Sequence, residues 1–195
     1  MRDIASYASS MQKPGAVGII PTDTLYGIVA RASDKSAVER LYKLKGREAK
    51  PGTIITADID QLEALGLKRR YLTAVEQFWP GPLSVIIPCA DPALRYLHRG
   101  LNSLAIRIPA NSDLQELLQS TGPLLTSSAN HAGEPPANTI KEAKAYFGQE
   151  VDCYADGGDL SGNKPSTIIR VVDDAIEIVR RGAVKIDESG RKYEV

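Results

Sequence analysis

The sequence is poor in the residues on which several chemistries depend. Its 195 residues include two cysteines, Cys89 and Cys153, and two histidines, His98 and His131. Cysteines so far apart, with no ligand-like neighbours, argue against a disulfide framework or structural zinc site and point to a reducing compartment. Neither histidine has a spacing that suits metal ligation or a catalytic triad, so both read as structural and no metal-binding residues are expected. Charge of one sign is also lacking: Lys+Arg and Asp+Glu number 24 each. That balance argues against a protein that coats nucleic acid with a net basic surface. The aromatic stacking motifs of RNA-binding modules are missing as well. No apolar run approaches the ~20 residues of a membrane span, and Met1–Lys13 is polar and mixed in charge. A cytoplasmic protein without a membrane segment is the expectation.

What is present is ordinary for a globular domain: 43% hydrophobic and 25% charged residues, enough to bury a core. Short apolar runs recur at Ala16–Ile20, Thr53–Ala57, Leu83–Pro88, Ser103–Pro109, Pro123–Thr126, Thr167–Val172 and Ile176–Val179. Several are rich in Val and Ile and bounded by Gly, Pro or Asn, and they read as strands. Helical patterns lie between them at Asp34–Lys45, Leu72–Trp79, Asp113–Gln119 and Lys141–Phe147. In the first, Val38, Leu41, Tyr42 and Lys45 share a face, with Ser33 or Asp34 able to cap the start and Gly46 the end. Strands interleaved with helices predict an α/β fold around a twisted sheet. The closely spaced last strands should pair antiparallel, making the sheet mixed. The loops Asn130–Asn138 and Asp156–Pro165 are too short to require a boundary, so residues 1–195 read as one domain.

Three runs place hydroxyl, amide or cationic groups where a strand or helix gives way to a loop, a usual position for ligand contacts in α/β proteins. Pro21-Thr22-Asp23-Thr24-Leu25-Tyr26-Gly27 crowds hydroxyls, a carboxylate and a phenol at a strand's end. The same residues suit a turn whose side chains bond their own backbone. Lys45-Gly46-Arg47, with Lys50 close behind, ends the basic helix. It suits either cations favoured by the helix dipole or a phosphate clamp of a mobile ammonium and a planar guanidinium. As a clamp, Lys45 and Arg47 belong at the mouth of a cleft, where truncation removes charge rather than core. Thr126-Ser127-Ser128-Ala129-Asn130 offers a hydroxyl and an amide to a purine or phosphate, or else forms an Asx- or ST-turn. Without a His or carboxylate beside it, it does not suit a nucleophilic serine.

Ser103 and Arg107 share one face of a strand. An arginine in so apolar a strand needs an anionic partner, and none stands in the local sequence. Gly157-Gly158 to Pro165-Ser166-Thr167 reads as a flexible lid, Arg180-Arg181-Gly182 as a late pair of cations, and Phe78-Trp79-Pro80-Gly81-Pro82 as a structural turn.

Taken in order, the P-T-D-T-x-Y-G turn, K-x-R clamp, F-W-P-G-P turn, S-x-A-x-R strand, S-S-A-N loop, P-S-T-I-I strand and R-x-G exit run from Ala8 to Ile186. Through them the chain resembles the YrdC-type threonylcarbamoyl-AMP synthase family. The resemblance implies an open α/β fold, a twisted mixed sheet flanked by helices, with a large cationic cavity. It implies a nucleotidyltransferase that forms threonylcarbamoyl-AMP and pyrophosphate from L-threonine, bicarbonate or CO2, and ATP. The product would feed downstream tRNA threonylcarbamoyl transferase proteins in the threonylcarbamoyladenosine modification of tRNA. Residue by residue, it implies threonine contacts at Thr24, Thr56, Arg107, Thr126 and Ser166. It implies ATP contacts at Lys45, Arg47, Ser103, Ser128, Asn130 and Arg180, with Lys45 and Arg47 as the catalytic cations. Mg2+ would be carried in with ATP, and the cationic cavity leaves room for a tRNA or RNA contact.

The chain departs from the family at Glu48, where proline usually follows the clamp, and at Thr56, often histidine in relatives. It resembles the short, single-domain form, so something other than a linker to a second domain must close the cavity. The rivals are an RNA-binding module, a paralogue lacking the K-x-R and S-x-N signatures, and a carbamoyl-adenylate domain of the hydrogenase-maturation type. Neutral net charge, the presence of both signatures and the short chain count against them in turn.

Overall fold

The apolar runs become neighbouring strands of one sheet. The computed structural model describes residues 4–46, 50–172 and 175–187. Within them lie β1 (Val17–Pro21), β2 (Tyr26–Arg31), β3 (Thr53–Ile55), β4 (Leu83–Pro88), β5 (Ser103–Arg107), β6 (Leu124–Ser128), β7 (Cys153–Tyr154), β8 (Thr167–Val172) and β9 (Ala175–Arg180). Their order across the sheet is β7-β1-β2-β6-β3-β5-β4-β8-β9. The pairs β1–β7, β3–β5 and β4–β8 are parallel and the others antiparallel, including β8–β9. The mixed sheet and its antiparallel final pair are thus as expected. Helices α1 (Ile4–Met11), α2 (Lys35–Lys45), α3 (Ile59–Ala64), α4 (Arg69–Thr73), α5 (Arg95–His98), α6 (Ser112–Thr121) and α7 (Ile140–Phe147) flank it.

Alternation along each strand divides the apolar side chains between two faces. Ile19, Ile28, Ile54, Ile106 and Leu125 enter the larger core with Val38 and Leu41 of α2. Their neighbours Ile20, Val29, Ile55 and Leu124 turn the other way, onto Tyr7 and Met11 of α1 and Leu114, Leu117 and Leu118 of α6. Asp34 caps α2 by accepting from the Ala37 N–H at 3.0 Å, and Gly46 closes its end.

The structure departs from the sequence reading where a turn or a proline decides. Gly27 is not loop: the turn is confined to Thr22–Leu25, and Tyr26 already pairs with Pro21 across a β1–β2 hairpin. The helical period at Leu72–Trp79 is split, with α4 ending at Thr73 and a 3-10 turn, Glu76–Phe78, leading into Trp79-Pro80. Proline lacks the N–H that would extend a helix and disfavours helical geometry in the residue before it. The Trp79 indole donates to the Leu83 carbonyl at 2.9 Å, so this turn is structural as expected. Among the described residues no helix is long and apolar enough to cross a membrane.

Candidate active site

The second face of the sheet is apolar only where α1 and α6 cover it. Farther along the same rows the residues become small or hydroxylated: Gly27 on β2, Thr126 and Ser128 on β6, Thr53 on β3. Thr53 pairs with Thr126 on one side and Ala105 on the other, and Arg107 follows Ala105 on the same face. A Cβ at Gly27 would lie 2.5 Å from the Thr126 hydroxyl, so glycine is what lets β2 and this side chain share the space. The result is a cleft of about 130 Å3 whose wall includes Thr24, Arg107, Thr126, Ser128, Ser166 and Arg180. That volume is small against the roughly 300–1,000 Å3 usual for ligand pockets.

The hairpin turn at one end closes on itself. Thr22 donates its N–H and its hydroxyl to the Leu25 carbonyl at 3.1 and 2.7 Å, and its hydroxyl lies 3.0 Å from that of Thr24. Self-bonding and cleft lining therefore coexist in this run. Between these two threonines stands Asp23, whose Oδ1 is 3.1 Å from Arg107 Nη2. This supplies the anionic partner that the local sequence of β5 does not: the guanidinium meets a carboxylate of the protein itself, from a distant turn, and not a ligand alone. The pair is ionic rather than well hydrogen-bonded: Asp23 Oδ1 and Oδ2 and Arg107 Nε are buried without hydrogen-bond partners. Burial pushes the Arg107 guanidinium below its ordinary pKa, and the Asp23 charge opposes that shift.

A β-bulge builds the other end. Ile168 faces Arg180 while Ile169 faces Ile178, so Val179 is an extra residue that turns Arg180 toward the cleft. There Arg180 donates through Nε and Nη2 to the Ser166 carbonyl at 3.0 and 2.7 Å, and through Nη2 to the Ser166 hydroxyl at 2.9 Å. Ser84 also donates to that hydroxyl, at 3.2 Å. A Cβ at Gly182 would collide with the Pro165 and Ser166 backbone, which explains the glycine of the R-x-G exit.

Lys45 is not at the cleft mouth. It is the last residue of α2, 2% exposed. Its ammonium donates to the Ser128 carbonyl at 2.7 Å and to the Asn130 carbonyl and side-chain oxygen at 2.6 and 2.9 Å. Three converging oxygens compensate for burial of the charge. Asn130 in turn accepts from the Ser128 hydroxyl at 2.6 Å and donates to the His131 and Glu134 carbonyls. Lys45 and Asn130 thus stand one hydrogen bond behind Ser128, the member of the group that lines the cleft.

Two other expected residues are not brought to the enclosed cleft. Thr56 is fully buried, and its hydroxyl donates to the Asp58 carbonyl and Gln61 Oε1 at 3.0 and 2.9 Å. Ser103 begins β5 opposite Pro88, at the far end of that strand from Arg107. Arg47 lies outside the described residues.

The segment read as a flexible lid is anchored. Tyr26 donates its hydroxyl to the Gly158 carbonyl at 2.9 Å and accepts from the Gly157 N–H at 2.8 Å. Burial raises the Tyr26 pKa, against the lowering effect of that Gly157 bond. His131 bridges the carbonyls of Leu44 and Tyr146, and His98 Nδ1 lies within hydrogen-bond reach of the Gly100 and Asn102 N–H groups. Both histidines are structural, and no group of three or more His, Cys, Asp or Glu side chains that could hold a metal occurs among the described residues. Sequence reasoning missed the Asp23–Arg107 pairing. The available signal was a carboxylate in a strand-end turn and an arginine needing one.

The chain is similar to known proteins in sequence and in fold. The family model Sua5_yciO_yrdC, described as telomere recombination, matches residues 10–182. Threonylcarbamoyl-AMP synthase of Pyrococcus abyssi is 32% identical over 186 residues, covering 93% of this chain and 54% of that protein. The Pseudomonas aeruginosa protein of the same name is 33% identical over 169 residues, covering 85% of this chain and 91% of that one. The chain thus spans about half the length of the archaeal relative and most of the bacterial one. The crystal structure of P. abyssi Sua5 complexed with L-threonine superimposes with a TM-score of 0.82 at 29% identity, over 94% of this chain and 55% of that one. By motif, fold and match across most of its length, the chain belongs to the Sua5/YciO/YrdC family.

Proposed function

We propose that the chain is an L-threonylcarbamoyladenylate synthase, joining L-threonine, bicarbonate or CO2, and ATP into threonylcarbamoyl-AMP with release of pyrophosphate. The observation that carries this is a small cleft lined by both Arg107 and Arg180 and by the hydroxyls of Thr24, Thr126, Ser128 and Ser166, in a chain similar to proteins named for that product. Threonine's carboxylate meets the Arg107 fork, with Thr24, Thr126 and Ser166 around its polar groups. Thr56, just past β3, acts only by holding Arg107, whose carbonyl accepts its N–H at 3.2 Å, and Ser103 at the far end of β5 stays outside the enclosed cleft. ATP lies across the open side, its phosphates facing Arg180, Ser128 and the Lys45–Asn130 pair, with Arg47 completing the clamp.

Threonine's ammonium loses a proton to solvent, the neutral amine adds to CO2 and releases a second proton to leave a carbamate, and the carbamate oxygen bonds the α-phosphorus as its bond to pyrophosphate breaks. Two anions must meet, so the work of Lys45, Arg47 and Arg180 is positioning and charge stabilisation, with no covalent enzyme intermediate. For Lys45 this means exchanging an amide oxygen for a phosphate oxygen, a stronger acceptor. Mg2+ carried with ATP would temper the charge of the triphosphate. The adenylate serves cytoplasmic tRNA threonylcarbamoyl transferases. Incubation with ATP, L-threonine and bicarbonate should release pyrophosphate and the adenylate only when all three are present. Release at the full rate without threonine would overturn the assignment, because the amino acid supplies the nucleophile.

A further inference from the structure

We infer that Asp23 fits the Arg107 end of the cleft to a zwitterion, favouring a ligand whose carboxylate carries a neighbouring ammonium over a carboxylate alone. The inference rests on the proposed placing of an amino-acid carboxylate at Arg107.

The two side chains are 9% and 4% exposed and 3.1 Å apart at Oδ1 and Nη2. Yet both carboxylate oxygens and Arg107 Nε lack hydrogen bonds. A pair whose sole task was to neutralise a core arginine would close those bonds, since buried polar groups are generally satisfied. This pair meets charge to charge and leaves the guanidinium's planar fork incompletely used. An incoming carboxylate can bond the part of that fork that lines the cleft.

Asp23 is also held in place. The Thr22 N–H and hydroxyl both reach the Leu25 carbonyl across the turn, and the flanking Thr22 and Thr24 line the cleft. The carboxylate therefore stands just behind the wall with its oxygens shielded. In a weakly screened interior its charge acts across that wall. It cancels part of the Arg107 charge, so a lone anion gains less there, and it favours an ammonium beside the bound carboxylate. Asp23 is thus a positioning and specificity residue that works through Arg107 and through space, with no contact to the reacting atoms.

The test is calorimetric titration of the full chain with L-threonine and with 3-hydroxybutanoate, which keeps the carboxylate, hydroxyl and methyl but lacks the ammonium. The wild type should bind threonine at least tenfold more tightly. Asp23→Asn should reduce that ratio to threefold or less, and Asp23→Glu should restore most of it. Equal affinities in the wild type would overturn the inference without any variant, which covers the case in which Asp23→Asn does not fold. Equal weakening of both ligands in Asp23→Asn would also overturn it, leaving Asp23 a purely structural partner. Failure of the wild type to bind threonine at all would instead remove the amino-acid assignment of the cleft, and this inference with it.

Discussion

Lys45 and Arg107 are buried almost equally, 2% and 3% exposed, and their charges are met in opposite ways. Lys45 donates to three carbonyl or amide oxygens at 2.6–2.9 Å, all from the Ser128–Asn130 segment. Arg107 faces a full carboxylate at 3.1 Å, yet its Nε and both carboxylate oxygens lack hydrogen bonds. The chemistry of the two heads explains part of this. An ammonium is a compact point charge whose three donors can follow a curved loop, whereas a guanidinium needs a coplanar partner to use its fork. The rest is placement. Lys45 ties the end of α2 to the loop after β6, while Arg107 points into a cleft between strands. One cation ties a loop to a helix end, and the other lines the cleft with part of its fork unused; under the proposed function that part meets the substrate carboxylate.

Breaking the better-satisfied site should have the larger structural effect. Lys45→Ala removes three charge-assisted bonds; the Ser128 carbonyl keeps the Asn130 N–H and Asn130 Oδ1 keeps the Ser128 hydroxyl, while the Asn130 carbonyl loses its ammonium donor, a cost of about 1.5–3 kcal/mol. A total loss of about 3 kcal/mol should lower the calorimetric Tm by roughly 6–12 °C for a domain of this size. An unchanged Tm with lost ATP affinity would place Lys45 functionally in the cleft and dissolve the contrast with Arg107. Gly182→Ala touches neither cation. Its new Cβ strikes the Pro165–Ser166 backbone, an overpacking cost of about 1–3 kcal/mol that should also disturb Arg180. Urea melts and the ATP KM should worsen together, while threonine binding at Arg107 changes less. Arg107→Lys keeps the charge opposite Asp23 and loses the fork. The KM for threonine should rise about tenfold, roughly 1.4 kcal/mol, with little change in ATP binding. If ATP affinity falls instead, Arg107 serves the nucleotide.

The contrast was only half legible in the sequence. Periodicity found α2 and its caps because Asp34 and Gly46 act locally, and the apolar runs found most strands for the same reason. β2 was hidden because its first residues, Tyr26 and Gly27, belong to the conspicuous P-T-D-T-x-Y-G run, whose turn proves shorter than the motif. The cleft residues Thr24, Thr126 and Ser166 were nameable from motifs, but their meeting depends on sheet order, which brings β6 beside β3 and β8 beside β4. The burial of Lys45 and the Asp23–Arg107 contact are non-local in the same way. A sequence shows that an arginine in an apolar strand needs an anion, but not which distant turn supplies it. The bulge at Val179 that aims Arg180 was invisible too, because alternation alone puts that side chain on the other face.

Ser128 joins the two kinds of site and gives the smallest expected effect. Its carbonyl accepts from Lys45 and its hydroxyl donates to Asn130 Oδ1 at 2.6 Å, while the residue lines the cleft. Ser128→Ala keeps the carbonyl, so the Lys45 ammonium retains its acceptors and the loop should hold. Loss of one hydrogen bond costs about 1 kcal/mol, or roughly 2–4 °C in Tm. To donate to a phosphate, the hydroxyl must give up Asn130, so its net contribution to ATP is the difference between two similar bonds. A fivefold rise in the ATP KM, about 1 kcal/mol, is therefore the upper expectation. A fall in Tm with no change for ATP would assign the hydroxyl wholly to the Lys45–Asn130 network. An ATP KM raised tenfold or more at unchanged Tm would instead move Ser128 to the ligand side, and the boundary between loop-holding and ligand-holding groups would run through Asn130.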